Sequence, residues 1–358
     1  MDGMLQTPLT KLLGCRYPII QTAMGWVATS DLVIASVKAG GFGFLAAAVM
    51  TPEECEAELT RIKEATSAPF GLNFHSFQPA ADKIVDLAID YGVRAVSYGR
   101  APSPQMIEKL KAAGVLCIPT IGAGKHAKKA VELGADALVC QGQEGGGHTG
   151  YTPTWLLLSQ VLEAVDVPVA PAGGFKDGRG LAASLAFGAH GIAMGTRFML
   201  TAESPTPKIT KDAYLNADVT KIPVSSKLDG LPQRMILNNT LARLERSSPP
   251  EMFVRAVMNG LKFKEQTGSS MVDLLKSAWT MTRKTDLTFA QTMMAANAPM
   301  IIQRAMVDGK PDEGVLPSGQ VAGLINDLPS CEQLISSIVS EASARLNAFG
   351  GRPAQAAE

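Results

Sequence analysis

The chain has 358 residues, and its 33 Lys plus Arg balance 33 Asp plus Glu, so no basic field exists to draw nucleic acid and a membrane surface is not favoured. That length is enough for one large α/β core with an appendage. Five cysteines, odd in number, far apart and without CxxC spacing, exclude a disulfide framework and a zinc site.

The opening residues, MDGMLQTPLTKLLG, lack an apolar signal core, and the expected location is the cytoplasm. Arg16 to Met24 reads as a first apolar strand, and Ser30 is placed to cap the helix that follows. Lys38 and the Gly40-Gly41 break divide the apolar region 31–50 into helix, turn and strand, so it does not read as a membrane span. Gly41 to Ala47 is the second strand. Thr51-Pro-Glu-Glu opens a helix with a hydroxyl cap, a proline in the first turn and acidic residues at the positive dipole end. Strands three and four are expected at 70–75 and 95–98, and Ser103-Pro-Gln-Met opens another capped helix. Strands five to eight follow at 116–121, 137–141, 167–172 and 191–194, separated by helices. Five of the helix-to-strand turns, KAGGFGF, DYGVRAV, AAGVLCI, ELGADALV and AFGAHGIAM, carry a glycine just past the last helical turn.

Eight strand-helix units with near-continuous apolar strands point to a TIM (β/α)8 barrel with a helical subdomain inserted after strand eight. An open doubly wound sheet is the competing topology. Against it, strand one leads into QTAMG and no GxGxxG. The expected organisation is a barrel at 1–200, a helical insert or substrate lid at 201–306, a segment returning to the barrel at 307–350 and a disordered tail at 351–358. Within the insert, helices are expected at 251–263, 270–282 and 288–305, rich in methionine; helix-on-helix packing and a ligand lid both account for that. A terminal helix from Cys331 to Leu346 is expected to pack on the barrel.

Chemistry concentrates after strands six, seven and eight. Gly173-Gly174 lets backbone approach a ligand closely, Asp177 can cap a helix whose amides point back at that turn, and Gly195-Thr196 supplies further amides. This pattern suits a phosphate, with Lys176, Arg179 and Arg197 nearby; ordinary βα turns would also use these glycines. Gln141 to Gly150, QGQEGGGHTG, wraps backbone around one imidazole, so His148 is the candidate general base or hydrogen-bond donor, with Glu144 a candidate orienting group. Asn73 and His75 share one side of strand three, where Asn73 is able to bond a heteroaromatic ring edge or to close a backbone gap. No HExxH, Cys/His spacing or GxSxG elbow is present, so neither a metal nor a serine nucleophile is expected. A phosphate site without a metal or nucleophile needs a reactive group from outside, and FMN fits, its phosphate at the last two loops and its ring near Met24, Asn73 and His148.

IIQTAMGW, APFGLNF, QGQEGGGHTG, APAGGFKDGRGLAASLAFGAHGIAMGTRF and SGQVAGL, in that order, resemble the nitronate monooxygenase family, formerly called 2-nitropropane dioxygenases, over nearly the whole chain. The resemblance implies an FMN-dependent TIM barrel. Backbone at Ala23, Met24 and Gly25, the side chains of Asn73 and Gln141, Gly146-Gly147, Gly173-Gly174 and Gly195-Thr196 would bind FMN, with Thr120 on strand five as a further cofactor-binding position. His148 matches the family's catalytic histidine, and Ser318-Gly319-Gln320 matches a loop near the flavin, with Ser318 and Gln320 as candidate contacts. Thr22-Ala23 stands where many relatives have Gly-Gly, and Thr120 where many have Lys or another polar residue. The implied activity is oxidation of alkyl nitronates with O2 through reduced flavin. The family also holds NAD(P)H-dependent quinone reductases, enoyl-thioester reductases and a branch acting on CoA thioesters in steroid-ring breakdown. DGRGLAA, VLPSGQVAGLINDLPSCEQLI and the Met-rich insert look most like that last branch. A non-catalytic phosphometabolite-binding barrel is the third reading, and a homodimer is compatible with all of them.

Overall fold

The computed structural model describes residues 5–247 and 289–350, which divide by contacts into two compact units. The first contains residues up to Gly145, Thr149–Pro205 and the chain from Leu324 onward; the second contains Gly146–His148 and Thr206–Gly323. This division differs from the expected one at three places: residues 201–205 stay with the first unit, residues 307–323 cluster with the second, and so does the tripeptide 146–148. The expected helices at 251–263 and 270–282, and the expected tail, lie outside the described residues, whereas the third expected helix is observed as Phe289–Met306.

The strands are β1 (Ile19–Gln21), β2 (Phe42–Ala46), β3 (Gly71–Asn73), β4 (Ala95–Ser97), β5 (Leu116–Cys117), β6 (Thr120–Ile121), β7 (Leu138–Gln141), β8 (Gly147–His148), β9 (Val169–Ala172), β10 (Ile192–Met194), β11 (Val224–Ser225) and β12 (Gln233–Arg234). Nine of them form one parallel sheet in the order β5-β4-β3-β2-β1-β10-β9-β7-β6. The two ends of that order are halves of one stave. Ile118 N–H donates to Val96 O at 2.8 Å and Thr120 N–H to Tyr98 O at 2.9 Å, while Val139 N–H donates to Pro119 O at 3.0 Å. Residues 116–121 therefore bond to the fourth stave on one side and to β7 on the other, which closes the sheet into the expected eight-stave barrel. Pro119 has no N–H to give, and that missing donor splits the strand in two.

The barrel lumen is filled by Ile20, Phe42, Phe44, Ala95, Ile118, Val139, Ala170, Ala172 and Ala193, with Leu9 and Leu13 of the helix Pro8–Leu13 joining the same cluster. Phe42 and Phe44, two residues apart, share a face and meet edge to face with centroids 5.1 Å apart. Their bulk demands a glycine next door, because a Cβ on Gly71 would lie 2.4 Å from the Phe44 ring. The five glycines expected to end helices, Gly40, Gly92, Gly114, Gly134 and Gly188, all have φ between 56° and 102°, the left-handed conformation that closes a helix C-terminus. Thr51 forms a reciprocal capping box with Glu54, and Ser103 accepts from Met106 N–H, both as the sequence implies. Ser30 differs. It is the first residue of its helix, buried, and its N–H donates to the Glu58 carboxylate at 2.6 Å. The terminal helix Cys331–Gly350 packs on the helix Gly178–Ala186, as expected, so closely that a Cβ on Gly178 would lie 2.5 Å from Ile338 O.

In the second unit, β11, β12 and β8 form an antiparallel sheet with β12 in the centre. Leu228, Met235, Leu241, Ala298 and Val315 make its core. Tyr214, fully buried, donates its hydroxyl to Pro317 O at 2.8 Å and anchors the segment leading to Ser318.

Candidate active site

In a parallel barrel the carboxyl ends of the staves form the ligand face. Most of the barrel residues singled out in the sequence collect at that rim: Ala23, Met24 and Gly25 follow β1, Asn73 ends β3, Gln141 ends β7, Gly173-Gly174 follows β9 and Gly195-Thr196 follows β10. Thr120 opens the outer half of the split stave and pairs with Val139. Hydrogen bonds join neighbours along the rim. Thr22 N–H donates to Met194 O at 3.1 Å, so the β1 and β10 loops run side by side, and a Cβ on Gly195 would lie 3.1 Å from Thr22 Oγ1 and 3.4 Å from Met24 Sδ. Gly142 N–H donates to Ala172 O at 2.9 Å, which ties the β7 loop to the β9 loop. Gly173 and Gly174 have φ of 107° and 84°, a consecutive left-handed pair that only glycine holds cheaply. Trp26 and Ala80, in the loops after β1 and β3, are the non-glycine residues with positive φ among those described, at 62° and 56°. Backbone strain is thus stored on this face.

Asn73 has a defined orientation. Its Nδ2 donates to Ser97 O at 3.0 Å and lies 3.1 Å from Ser97 Oγ; a carbonyl accepts only, so the amide nitrogen must face it, leaving the oxygen as the end able to meet a ring N–H. The strand ends at Asn73, so His75 lies beyond it and stacks on Phe77.

Three electrostatic expectations are corrected. Asp177 does cap the helix Gly178–Ala186, but the first amides of that helix are already spoken for: Gly178 N–H donates to Glu341 Oε2 at 3.0 Å and Arg179 N–H to Asp177 Oδ1 at 3.1 Å. That N-terminus faces carboxylates from its own chain and is not an anion site. Arg179 is held in a fork by Asp177, whose carboxyl it keeps below the ordinary value against the effect of burial. Arg197 is 2% exposed and is committed to Asp327 Oδ1 at 2.6 Å and to Leu200 O at 3.0 Å. The glycine pair and the short helix Thr196–Met199 after β10 are what the rim offers a phosphate.

Glu144 does not orient His148. Its carboxylate accepts from Thr154 N–H at 2.9 Å and from Thr154 Oγ1 at 2.7 Å, pinning the β7 loop to the next helix. His148 lies in β8, where it pairs with Gln233 of β12, and its Nε2 is 2.7 Å from Asp229 Oδ2. Gln233 Nε2 is 3.1 Å from the same ring nitrogen and also donates to Asp229 Oδ2. The histidine side chain is 59% exposed and the aspartate 6%. Burial pushes the Asp229 carboxyl up, yet bonds from His148, Leu231 N–H and Gln233 outweigh it and leave the group below its ordinary value, an ionised acceptor. A carboxylate on Nε2 holds the proton there and leaves the basic lone pair on Nδ1. This is the arrangement of an oriented general base. The sequence did carry a signal for Asp229: Asp229-Gly230 turns between the short runs 224–225 and 233–234, a hairpin pattern.

Gly146, Gly147, Ser318 and Gln320 lie in this same second unit. A Cβ on Gly146 would lie 2.4 Å from Gly319 N and 2.6 Å from Ser318 C, and Ser318 N–H donates to Arg234 O, the residue paired with Gly147. Gln320 donates to Val219 O at 3.4 Å.

His190 and Cys140 are structural. His190 accepts from Val169 N–H at 3.1 Å, and burial lowers its pKa. Cys140 is fully buried and its thiol is pushed up to about 12, a packed side chain and not a reactive one. No metal-holding cluster of His, Cys, Asp and Glu occurs among the described residues, and no described helix is long and apolar enough to cross a membrane.

A family profile described as nitronate monooxygenase matches residues 6–85 and 76–341. The chain belongs to the nitronate monooxygenase family. It is accordingly a flavin-dependent oxidoreductase that acts on small molecules. Among curated relatives, a (3aS,4S,5R,7aS)-5-hydroxy-7a-methyl-1-oxo-octahydro-1H-indene-4-carboxyl-CoA dehydrogenase of Rhodococcus jostii is 49% identical over 346 residues, covering 97% of this chain and 98% of that protein. A probable nitronate monooxygenase of Staphylococcus saprophyticus is 31% identical over 287 residues, covering 67% of this chain and 81% of that protein. Among solved structures, FabK from Thermotoga maritima superposes with a TM-score of 0.80 at 27% identity, over 97% of this chain and 99% of that one. The fold of this member of the family is therefore a flavoenzyme barrel.

Proposed function

We propose that the protein is an FMN-dependent dehydrogenase of a bulky, fused-ring acyl-CoA thioester. The observation that carries this reading is the 49% identity, spread over 97% of the chain, with a dehydrogenase named for an octahydro-indene-carboxyl-CoA. The nitronate-named relative is more distant and spans two thirds of the chain, at 31% identity.

The rim residues fit FMN: the left-handed Gly173-Gly174 pair and Gly195-Thr196 for the phosphate, the 23–25 backbone, the Asn73 oxygen, Thr120 and Gln141 for the ring; the family resemblance alone implies Gly146, Gly147, Ser318 and Gln320 as further contacts. When bound, FMN would supply the two-electron acceptor for the hydride lost from the carbon β to the thioester carbonyl. His148 is the proton acceptor. The thioester carbonyl acidifies the carbon next to it, and the Nδ1 lone pair of His148 takes that proton while Asp229 balances the charge that develops on the ring. Gln233, whose amide nitrogen donates to the same Asp229 oxygen, holds the carboxylate in register. The same base would serve a nitroalkane, whose α-hydrogen is more acidic. Oxidation of nitronates with O2 is the second reading, favoured by the family profile and the staphylococcal relative.

Anaerobic mixing of the purified yellow protein with each donor discriminates. A hydroxy-octahydro-indene-carboxyl-CoA thioester should bleach the flavin in one turnover, with no pyridine nucleotide needed. Bleaching by ethylnitronate or by NADPH, with the thioester inert, would replace this reading.

A further inference from the structure

Two loops of the barrel rim carry side chains that the chemistry above leaves unused. Phe77, in the loop after β3, is 58% exposed, a large apolar ring held in water on the ligand face of the barrel. The His75 ring stacks on it with centroids 5.0 Å apart and planes 7° from parallel. Arg100, in the loop after β4, places its guanidinium carbon 5.9 Å from the centre of the Phe77 ring. Among the described residues Arg100 has no carboxylate partner, and its charge faces solvent.

The platform is held in place. His75 N–H donates to Gln78 Oε1 at 2.8 Å, Gln78 Nε2 donates across to Ala47 O at 3.1 Å, and Phe74 N–H donates to Ser97 O at 3.1 Å. Ala80, with φ of 56°, closes the loop in a conformation that a non-glycine residue keeps only where its surroundings impose it. An exposed aromatic on a braced loop, beside an unneutralised planar cation, has the two parts needed to recognise a nucleotide. His75 covers one face of Phe77, yet the ring is exposed, which leaves a purine the opposite face once the Arg100 guanidinium swings from above the ring to take a phosphate in its fork. Asn73, four residues before Phe77, ends the neighbouring stave, so the platform adjoins the residues assigned to the flavin ring on this rim.

We infer that Phe77, His75 and Arg100 form a subsite for the phosphorylated adenosine of the CoA thioester, with the purine on Phe77 and a phosphate on Arg100. This rests on the thioester reading above. Phosphorylated adenosine is also the tail of NADPH, and the two sources differ in where the ribose phosphate sits. The test titrates the full-length flavin-loaded protein with adenosine 3′,5′-bisphosphate, the CoA-type fragment, and with adenosine 2′,5′-bisphosphate, the NADPH-type fragment. It also compares kcat/KM for the acyl-CoA with that for the same acyl group on pantetheine.

The 3′,5′-bisphosphate should bind the wild type more tightly than its isomer. Phe77→Ala and Arg100→Gln should each weaken it by about tenfold or more, the scale of a lost stacking or charged phosphate contact. The preference for CoA over pantetheine should fall by a similar factor, with Arg100→Lys recovering part of it. Unchanged binding and an unchanged CoA preference in both variants would overturn the subsite while leaving the thioester reading intact. Selective binding of the 2′,5′ isomer would assign the platform to a pyridine nucleotide and overturn it as stated. A wild type that is reduced by no CoA thioester and binds neither fragment would remove both proposals together.

Discussion

Asp229 Oδ2 lies 2.7 Å from Nε2 of His148, and the two residues are 81 positions apart in the chain. The aspartate is buried and the histidine exposed, so one end of the pair is fixed by packing while the other is open to solvent. The dyad makes its own prediction. Asp229→Asn keeps the shape but removes the charge that sets the tautomer, and kcat should fall about a hundredfold or more with flavin content unchanged, as for other oriented imidazole bases. His148→Ala should do at least as much damage, and the double variant should be no worse than the worse single one. Additive losses would separate the two roles.

The same aspartate gives a pH dependence. Its folded pKa is depressed, so its contribution to stability is complete above the ordinary carboxylate range and disappears as pH falls through the folded value. Asp229→Asn should therefore unfold at a lower temperature than wild type at pH 7, and the gap should close below about pH 4. A gap that is constant from neutral to acid pH would mean that the charge contributes nothing.

Gly146→Ala tests the close approach of the 146–148 strand to the 318–319 loop. The added methyl meets backbone atoms at 2.4 and 2.6 Å, which cannot swing aside as a side chain would. A loss of about 1–3 kcal/mol in unfolding free energy is expected, with reduced turnover. Gly147→Ala introduces no contact within 4 Å, so its cost should come from the positive φ of 67° alone and be the smaller of the two. Denaturant titration of both variants decides the order.

Arg197 is 2% exposed and Asp327 is 60% exposed on the side chain, so their ion pair is lopsided. Asp327→Ala strands a buried guanidinium and should cost about 1–3 kcal/mol, below the range for a fully buried pair because the carboxylate is partly solvated. In the Asp327→Ala background, changing Arg197→Met should restore part of the lost stability. Thermal unfolding of the four combinations supplies the cycle.

All five cysteines are free, and burial pushes Cys15, Cys55, Cys140 and Cys331 up to about 12 and Cys117 up to about 11. At about pH 8 the native protein should release little chromophore from a thiol-exchange reagent and all five equivalents once denatured. One fast equivalent in the native protein would mark a thiolate on the surface.

The barrel was legible in the letters because its determinants are local. A helix that stops at Gly92 or Gly134, followed by an apolar run, states its own boundaries, although the break that Pro119 makes in the strand expected at 116–121 was not read from it. The Gly173-Gly174 pair after strand seven, Gly195-Thr196 after strand eight and the histidine in QGQEGGGHTG were visible for the same reason: each needs only its neighbours to be understood. Other facts are properties of distance in space. That Glu144 binds Thr154, that Glu341 satisfies the amide of Gly178, and that Arg197 is neutralised by Asp327 depend on segments up to 163 residues apart. The chain on its own determined that His148 would be presented on a glycine-rich strap. Only the folded pairing of β8 with β12 decided that Asp229 would hold its proton, because a carboxylate selects a tautomer through an Ångström-scale contact that no spacing in the sequence encodes.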